Sequence, residues 1–236
     1  MGSNPIGCAK IMKAVILAAG EGVRMRPLTL KIPKPLLEVA GKPLIYHLVK
    51  NLPEKITELI VVHGYLGEQI VKYCGEEFLG RKVTYVRQPE KKGTYNALEL
   101  ARPHLGDGSF AILYSDDLFD KETFEEFVKY DLAAIAAEVP NPQRYGVATL
   151  NGDGSLKEIF EKAENPPSNL ALVGGFILNS LIFNYPPGGA IKGEFLLPTA
   201  VSAMSKDHKI HVVKARSYIP VGVIEDLAKA EKILEK

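Results

Sequence analysis

The chain has 236 residues, 46% of them hydrophobic and 24% charged, which is enough apolar material to bury a core without disulfide or metal staples. Its net charge of +1 excludes a global field that would draw it onto nucleic acid or an anionic membrane, so any polyanion must be met by a few placed cations. No apolar run approaches bilayer-spanning length, Lys10 and Lys13 interrupt any signal-peptide pattern, and Cys8 and Cys74 fit no metal spacing; two free thiols and a reducing, cytoplasmic setting are expected.

In chain order, residues 1–12 read as a flexible leader and 13–236 as one domain. Residues 14–18 form a short continuous apolar run, the pattern of a strand buried on both faces. Residues 43–51 space their apolar side chains as a helix does, with Pro43 at the first turn. A strand over 59–62, a helix over 68–73 and a strand over 83–87 follow. A helix over 94–101 is expected to be capped by Thr94, and an apolar strand over 110–114 ends in Ser115-Asp116-Asp117. This alternation predicts an α/β fold with a mostly parallel sheet and helices on both faces. The second half turns more antiparallel. It offers a strand over 132–139, a hairpin of 146–150 and 156–160 across "NGDG", and a strand over 171–178. A loop at 185–189, a helix over 197–204, a strand over 210–214 and a closing helix over 225–234 complete it.

"AAGEG" at 18–22 stands beyond the carboxyl end of the first strand, where open α/β sheets bind ligands. Small residues let backbone approach a ligand, and successive N–H groups can cradle an anion. The tail that follows strings Arg24, Arg26, Lys31, Lys34 and Lys42 along a stretch stiffened by prolines at 27, 33, 35 and 43. Such a loop suits a clamp over a triphosphate. The dinucleotide fingerprint fails because Met25 stands where its third glycine belongs, and no Gly-Lys-Ser/Thr supplies a P-loop.

"LAAGEGVRMRPLT" with "KPLL" (34–37) and "GKPLI" (41–45) resembles the signature of sugar-1-phosphate nucleotidyltransferases, the group of glucose-1-phosphate thymidylyltransferases, UTP–glucose-1-phosphate uridylyltransferases and mannose-1-phosphate guanylyltransferases. Further similar segments are "QPEKKGT" (88–94), "LYSDDLF" (113–119), "RYGV" (144–147), Glu161-Lys162, Gly193-Glu194 and "EDLAKAEKIL" (225–234). The resemblance implies a Rossmann-like, three-layer α/β/α fold of glycosyltransferase-A type with a mixed, mostly parallel sheet. It implies transfer of a nucleoside monophosphate from an NTP, UTP or dTTP by preference, to a sugar 1-phosphate. The products are an NDP-sugar and pyrophosphate. Because the acceptor oxygen attacks phosphorus in line, catalysis is positioning and charge neutralisation rather than covalent chemistry.

The roles carried over are these. Leu17, Ala18, Ala19, Gly20, Glu21 and Gly22 hold the nucleotide; Arg24 stabilises the leaving pyrophosphate and Lys34 sits over the α-phosphate. Gln88 reads the base with a carboxamide that offers donor and acceptor, and Gly93 and Thr94 add nucleotide contacts. Asp116 matches the aspartate that holds Mg²⁺. Gly146, Glu161, Lys162 and Gly174 receive the sugar phosphate. No nucleic-acid or membrane partner is implied, and a homo-oligomer stays open. The chain ends after its closing helix, so the left-handed β-helix of some relatives is not expected.

The pattern breaks in two places. "YIPVGVIEDL" (218–227), aligned on Gly222 and Glu225-Asp226, puts Pro220 where the family has its second metal-binding aspartate. "GTYNAL" replaces a segment of small residues and sets Tyr95 and Asn96 beside the nucleotide. Three readings stay open: an enzyme working with Asp116 alone, one in which Asp117, Glu225 or Asp226 substitutes, and a non-catalytic nucleotide-binding regulatory relative. Choline-phosphate cytidylyltransferases share the amino-terminal signature; an aminoalcohol pocket would show as acidic and aromatic residues in the acceptor half, whereas the "RYGV" and Glu161-Lys162 matches point to a sugar.

Overall fold

The computed structural model describes residues 11–235. Of the expected leader, residues 1–10 with Cys8 lie outside the described residues, and Met12 already begins β1 (Met12–Ala18). Three single-turn 3-10 segments, Val23–Met25, Leu28–Leu30 and Lys34–Leu36, follow, and β2 (Glu38–Val39) and β3 (Lys42–Pro43) form a two-residue ribbon leading into α1 (Leu44–Lys50). Then come β4 (Ile56–His63), α2 (Gly67–Cys74), β5 (Glu77–Phe78), β6 (Arg81–Arg87), α3 (Thr94–Ala101) and β7 (Phe110–Tyr114). The second half contains β8 (Asp117–Phe119), α4 (Lys121–Phe127), β9 (Ala133–Glu138), β10 (Gly146–Leu150), β11 (Leu156–Glu161) and β12 (Leu170–Leu178). It closes with α5 (Leu197–Met204), β13 (His211–Lys214), β14 (Tyr218–Pro220) and α6 (Ile224–Leu234).

The main sheet runs β11-β10-β12-β7-β1-β4-β6-β5, with β9 paired to β12 and β13 to β9. The strands β7, β1, β4 and β6 are parallel neighbours, whereas β12 is antiparallel to β7, β9 and β10. Alternation along each buried strand builds two cores. Ala14 and Ile16 of β1, with Ala111 and Leu113 of β7, face one cluster that takes in Leu44 and Leu48 of α1, Ile70 of α2, Phe124 of α4 and Ala230 of α6. Val15, Phe110 and Ile112 face the other, filled by Leu98 of α3 and Leu197, Val201 and Met204 of α5. The result is a mixed sheet between two helical layers.

The chain leaves β1 for β4 and β6 on one side, then returns through α3 to β7 on the other. The strand ends of β1 and β7 are therefore a switch point, where loops diverge and leave a crevice. The second opening comes from β12. Its residues 175–178 pair with β7, but Ala171 and Leu172 pair with β10, and the register with β9 shifts between Leu172 and Phe176. The sheet forks there, and the fork exposes the ends of β7 and β10 to one another.

Several elements are absent from the sequence expectation: the ribbon β2–β3, the short β5, the helix α4 and the antiparallel pair β8–β14. The last two hang on Asp120, the N-cap of α4. Its carboxylate accepts from the Thr123 amide at 2.7 Å, the Thr123 hydroxyl at 3.0 Å and the Ser217 amide at 2.5 Å. The Thr123 hydroxyl in turn accepts from the Arg216 amide at 3.0 Å, so the start of α4 clasps the segment that enters β14. Asp120→Ala is expected to lower unfolding free energy by about 1–2 kcal/mol, read as a fall in urea midpoint at constant slope.

Candidate active site

Two cavities open at these strand ends. The first, about 340 Å³, lies at the switch point. The strand end and bend of Leu17, Ala18, Ala19, Gly20, Glu21 and Gly22 form one wall; Gln88, Gly93 and Thr94 form another; Arg24, Lys34 and Asp116 close the end nearest β7. The second, about 540 Å³, occupies the fork of the sheet and is bordered by Gly146, Glu161, Lys162 and Gly174. Arg24, Thr94, Tyr114, Asp116, Glu194 and Gly222 border both, so the cavities meet along one seam. Residues 17–22, Gln88, Gly93 and Thr94, expected at the nucleotide, lie on the first cavity, and Gly146, Glu161, Lys162 and Gly174, expected at the sugar phosphate, on the second, whereas Tyr95 and Asn96 line neither.

The loop after β1 is folded onto itself. Thr29 is fully buried, and its hydroxyl donates to the Gly22 carbonyl at 2.8 Å. Gly22 has φ +63°, and a Cβ there would stand 2.8 Å from the Thr29 methyl and 3.2 Å from Lys34 Cβ. Glycine is required both for the backbone and for that contact. Only two of the five expected cations reach the cavity. Arg26 turns back to Glu21 at 3.1 Å, Lys42 lies over the Tyr46 ring at 5.4 Å, and Lys31 is exposed, its carbonyl accepting from Gln69 at 2.9 Å. Arg24 and Lys34 remain. The prolines that stiffen this stretch place Lys34 in a buried 3-10 turn, and its ammonium pairs with Asp116 across the seam.

Asp116 follows β7 and begins the turn into β8, and its carbonyl accepts from the Val221 amide at 3.1 Å. Asp117 points into the fork. Its Oδ1 accepts from the Tyr218 hydroxyl at 2.7 Å, and its side chain rests on Gly174, where a Cβ would overlap the carboxylate. Burial, then the neighbouring Asp116 charge, push the Asp117 carboxyl up to about 7, against the pull of Tyr218, Lys34 and Arg24. Gly146 pairs in register with Glu161, whose side chain fills the space a Cβ at 146 would need. Burial raises the Glu161 carboxyl, and Lys162 at 3.6 Å opposes that shift.

The base-proximal wall differs from expectation in two respects. Tyr95 is buried in the core and lies on neither cavity, because its amide donates to the Phe195 carbonyl at 2.9 Å and α3 turns its ring inward. The Gln88 amide nitrogen is already committed, donating to the Gly93 carbonyl at 3.1 Å and to Asn96 Oδ1 at 3.0 Å, so its oxygen alone is left to meet a base. The segment around Phe195 is stitched to this wall: the Phe195 amide donates to the Lys92 carbonyl at 2.8 Å and the Leu197 amide to the Thr94 hydroxyl at 2.9 Å, so Thr94 does not cap α3 as expected and Gly93 stands at its N-cap. That stitching carries Glu194 to the seam, where Lys91 pairs with it at 3.0 Å. Among the residues without an assigned role in the sequence, Glu194, Tyr114, Asp117 and Tyr218 border the cavities. All four lay in segments whose pattern marked them: Tyr114 and Asp117 in 113–119, Glu194 in 193–194 and Tyr218 in 218–227. Acidic and aromatic residues do border the second cavity, but carboxylates accept from hydroxyls as well as from ammonium, so this criterion does not separate a sugar from an aminoalcohol.

Pro220, at the position of the family's second metal aspartate, pairs in register with Asp117 across β8–β14 and brings no carboxylate. Asp226 is committed elsewhere: Oδ2 accepts from the Gly222 and Val223 amides at 3.0 and 3.1 Å, capping α6, and Oδ1 pairs with Lys229 at 3.2 Å. No group of three or more His, Cys, Asp or Glu side chains is placed to hold a metal among the described residues. A caged structural ion does not fit. A carboxylate at a phosphate site does fit Mg²⁺, which takes one or two carboxylates and completes its shell with phosphate oxygens and water.

The nucleotidyl transferase family model matches residues 13–236. The chain is 34% identical over 226 residues to the bifunctional protein GlmU of Methanocaldococcus jannaschii, covering 94% of this chain and 54% of that protein. It is 32% identical over 237 residues to the UTP–glucose-1-phosphate uridylyltransferase AglF of Haloferax volcanii, covering 95% of this chain and 97% of that one. The chain thus spans about half the length of its GlmU relative and nearly all of the other. Among solved structures, a UDP-glucose pyrophosphorylase complexed with UDP-glucose superposes with TM-score 0.83 at 25% identity, over 95% of this chain and 98% of that one. A glucose-1-phosphate thymidylyltransferase described as putative, from Bacillus anthracis, gives TM-score 0.83 at 27% identity over 94% of each chain. No helix among the described residues is long and apolar enough to cross a membrane.

The raised Asp117 carboxyl has a sign that can be read in stability. The folded state holds that proton more tightly than the unfolded chain, so the contribution is full below about pH 4 and is lost as pH rises through about 7. Asp117→Asn removes the charge and keeps an acceptor for Tyr218. In chelator, its urea midpoint is expected to exceed wild type at pH 8 and to converge with it at pH 4.

Proposed function

The chain belongs to the nucleotidyl transferase family, and on that premise we propose that it transfers a nucleoside monophosphate from UTP or dTTP to a sugar 1-phosphate, releasing pyrophosphate and an NDP-sugar. The observation that carries this reading is the seam: one cavity with a glycine-bearing bend and one with paired carboxylate and lysine meet at Arg24 and Asp116, with Lys34 beside them. A transfer between two phosphorylated substrates needs such a meeting point, because the acceptor oxygen and the α-phosphorus must be held in line.

In this reading the bend 17–22 takes the nucleotide and its phosphates, and Gln88, Gly93 and Thr94 take the base side. Gly146, Glu161, Lys162 and Gly174 take the sugar phosphate, Glu161 accepting from hydroxyls and Lys162 facing phosphate. Lys34 leaves its resting partner for the α-phosphate, where negative charge accumulates as the acceptor oxygen bonds to phosphorus. Arg24 draws charge onto the pyrophosphate as the bond to it breaks. Asp116 is the residue that would hold Mg²⁺, with Asp117 beside it; when bound, the ion supplies neutralisation of the triphosphate oxygens. The acceptor is already ionised at neutral pH, so no side chain is asked to remove a proton.

A second reading rests on Pro220: with the carboxylate of that position gone, the chain binds nucleotide or NDP-sugar as a non-catalytic regulatory relative. Release of pyrophosphate from a panel of NTPs and sugar 1-phosphates separates the two. Turnover with a uridine or thymidine triphosphate supports transfer; nucleotide binding without turnover across the panel supports the regulatory reading. Given turnover, Lys34→Ala and Asp116→Asn should each lower kcat about a hundredfold or more. Asp226→Asn should retain most activity, because that carboxylate is spent on the α6 cap; equal losses would reassign the metal ligand.

A further inference from the structure

Gln88 leaves β6 at the edge of the first cavity, nearly buried, with its own amide donating to the His63 carbonyl at 2.7 Å. A free carboxamide in that position would read a base in either sense, since a half-turn about its last bond exchanges oxygen for nitrogen. Here the exchange is opposed. The Gly93 carbonyl is a backbone acceptor that cannot invert, and it takes one amide hydrogen at 3.1 Å. Asn96 Oδ1, on the first turn of α3, takes the other at 3.0 Å. A turned Gln88 would point its oxygen at the Gly93 carbonyl and strand it, whichever way the Asn96 carboxamide turns, a cost comparable to leaving a buried polar group unpaired. The Gly93 carbonyl is itself fixed, because it also accepts from the Ala97 amide at 3.2 Å and the Gly93 backbone abuts that of Phe195.

We propose that Asn96 is a positioning residue for base selection: by spending the second amide hydrogen of Gln88 it presents only the carboxamide oxygen to the cavity, so the site takes a base with a ring N–H, as uracil, thymine and guanine have, and disfavours cytosine and adenine. The inference rests on the first cavity being the nucleotide site. The oxygen accepts from the N3–H of uracil or thymine, or from N1–H of guanine. Cytosine and adenine present a ring-nitrogen lone pair at the same place. That lone pair needs a donor, and Gln88 has none left. The Gly93 backbone carbonyl fixes the sense of the carboxamide; Asn96, which occupies the remaining amide hydrogen, is the part that belongs to this sequence, which reads "GTYNAL" where small residues are the family pattern.

Asn96→Ala frees one amide hydrogen to turn toward the base, whereas Asn96→Asp keeps an acceptor for it. Dissociation constants for UTP and CTP, measured by calorimetry on the whole chain, test this without depending on turnover. Wild type is expected to bind UTP at least about tenfold more tightly than CTP; Asn96→Ala is expected to shrink that ratio about tenfold, and Asn96→Asp to hold it within about twofold. Equal wild-type affinities, an unchanged ratio in Asn96→Ala, a loss in Asn96→Asp matching that in Asn96→Ala, or no nucleotide binding at all would overturn the proposal. Selective binding that follows the expected pattern without pyrophosphate release would sustain it while refuting the transfer reading. A merely structural Asn96 would move melting temperature and leave the UTP-to-CTP ratio alone.

Discussion

The ion pair between Lys34 and Asp116 is the interaction on which the rest of the site turns. The two residues are 82 positions apart, one in the loop after β1 and one just beyond β7, and their contact pins that loop over the strand ends. Both are largely withdrawn from water, with side-chain exposures of 11% and 31%. An unpaired charge at either place would be costly, so each stabilises the other. Asp117 adds a second carboxyl beside the first, and the repulsion between them makes the seam receptive to positive charge.

The geometry around that pair follows from strand order. A crevice is unavoidable where loops diverge from β1 and β7, and a second arises because β12 changes partner from β10 to β7. Gly174, with φ +49°, sits at that change of partner, and Asp117 lies against its backbone. Any larger residue would push the carboxylate out of the fork. The small β8–β14 pair completes the wall, and it stays in place because Asp120 and Thr123 tie the chain before β14 to the start of α4.

Much of this was legible in the sequence, for identifiable reasons. Continuous apolar runs marked β1, β4 and β7, because strands buried on both faces need no alternation. "NGDG" marked the β10–β11 hairpin, and the glycine bend with its cations marked the first cavity. What stayed hidden depends on tertiary pairing. Nothing in the spacing of Arg26, Lys31 and Lys42 says that they turn away from the cavity, since their partners Glu21 and Tyr46 are ordinary neighbours in sequence. Tyr95 reads as a pocket residue until the backbone pairing with Phe195 turns its ring into the core. The helix α4 begins in "DKET", where Asp120 caps and Thr123 follows, a signal present but short; β14 is three residues ending in proline, and only its partner β8 makes it a strand. The donors of Gln88 could not be seen to be spent, because both acceptors are set by how the turn before α3 folds.

In the proposed function, the seam at Arg24, Lys34 and Asp116 is where a nucleoside triphosphate meets its acceptor. The most direct measurement is a crystal structure of the chain with Mg²⁺ and a non-hydrolysable UTP analogue. The triphosphate should run along the bend 20–24 with its α-phosphate beside Lys34, the Lys34–Asp116 contact opened, and the uracil at Gln88. A triphosphate bound outside the first cavity, or bound there with Lys34 still locked to Asp116 and no phosphate at the seam, would contradict it.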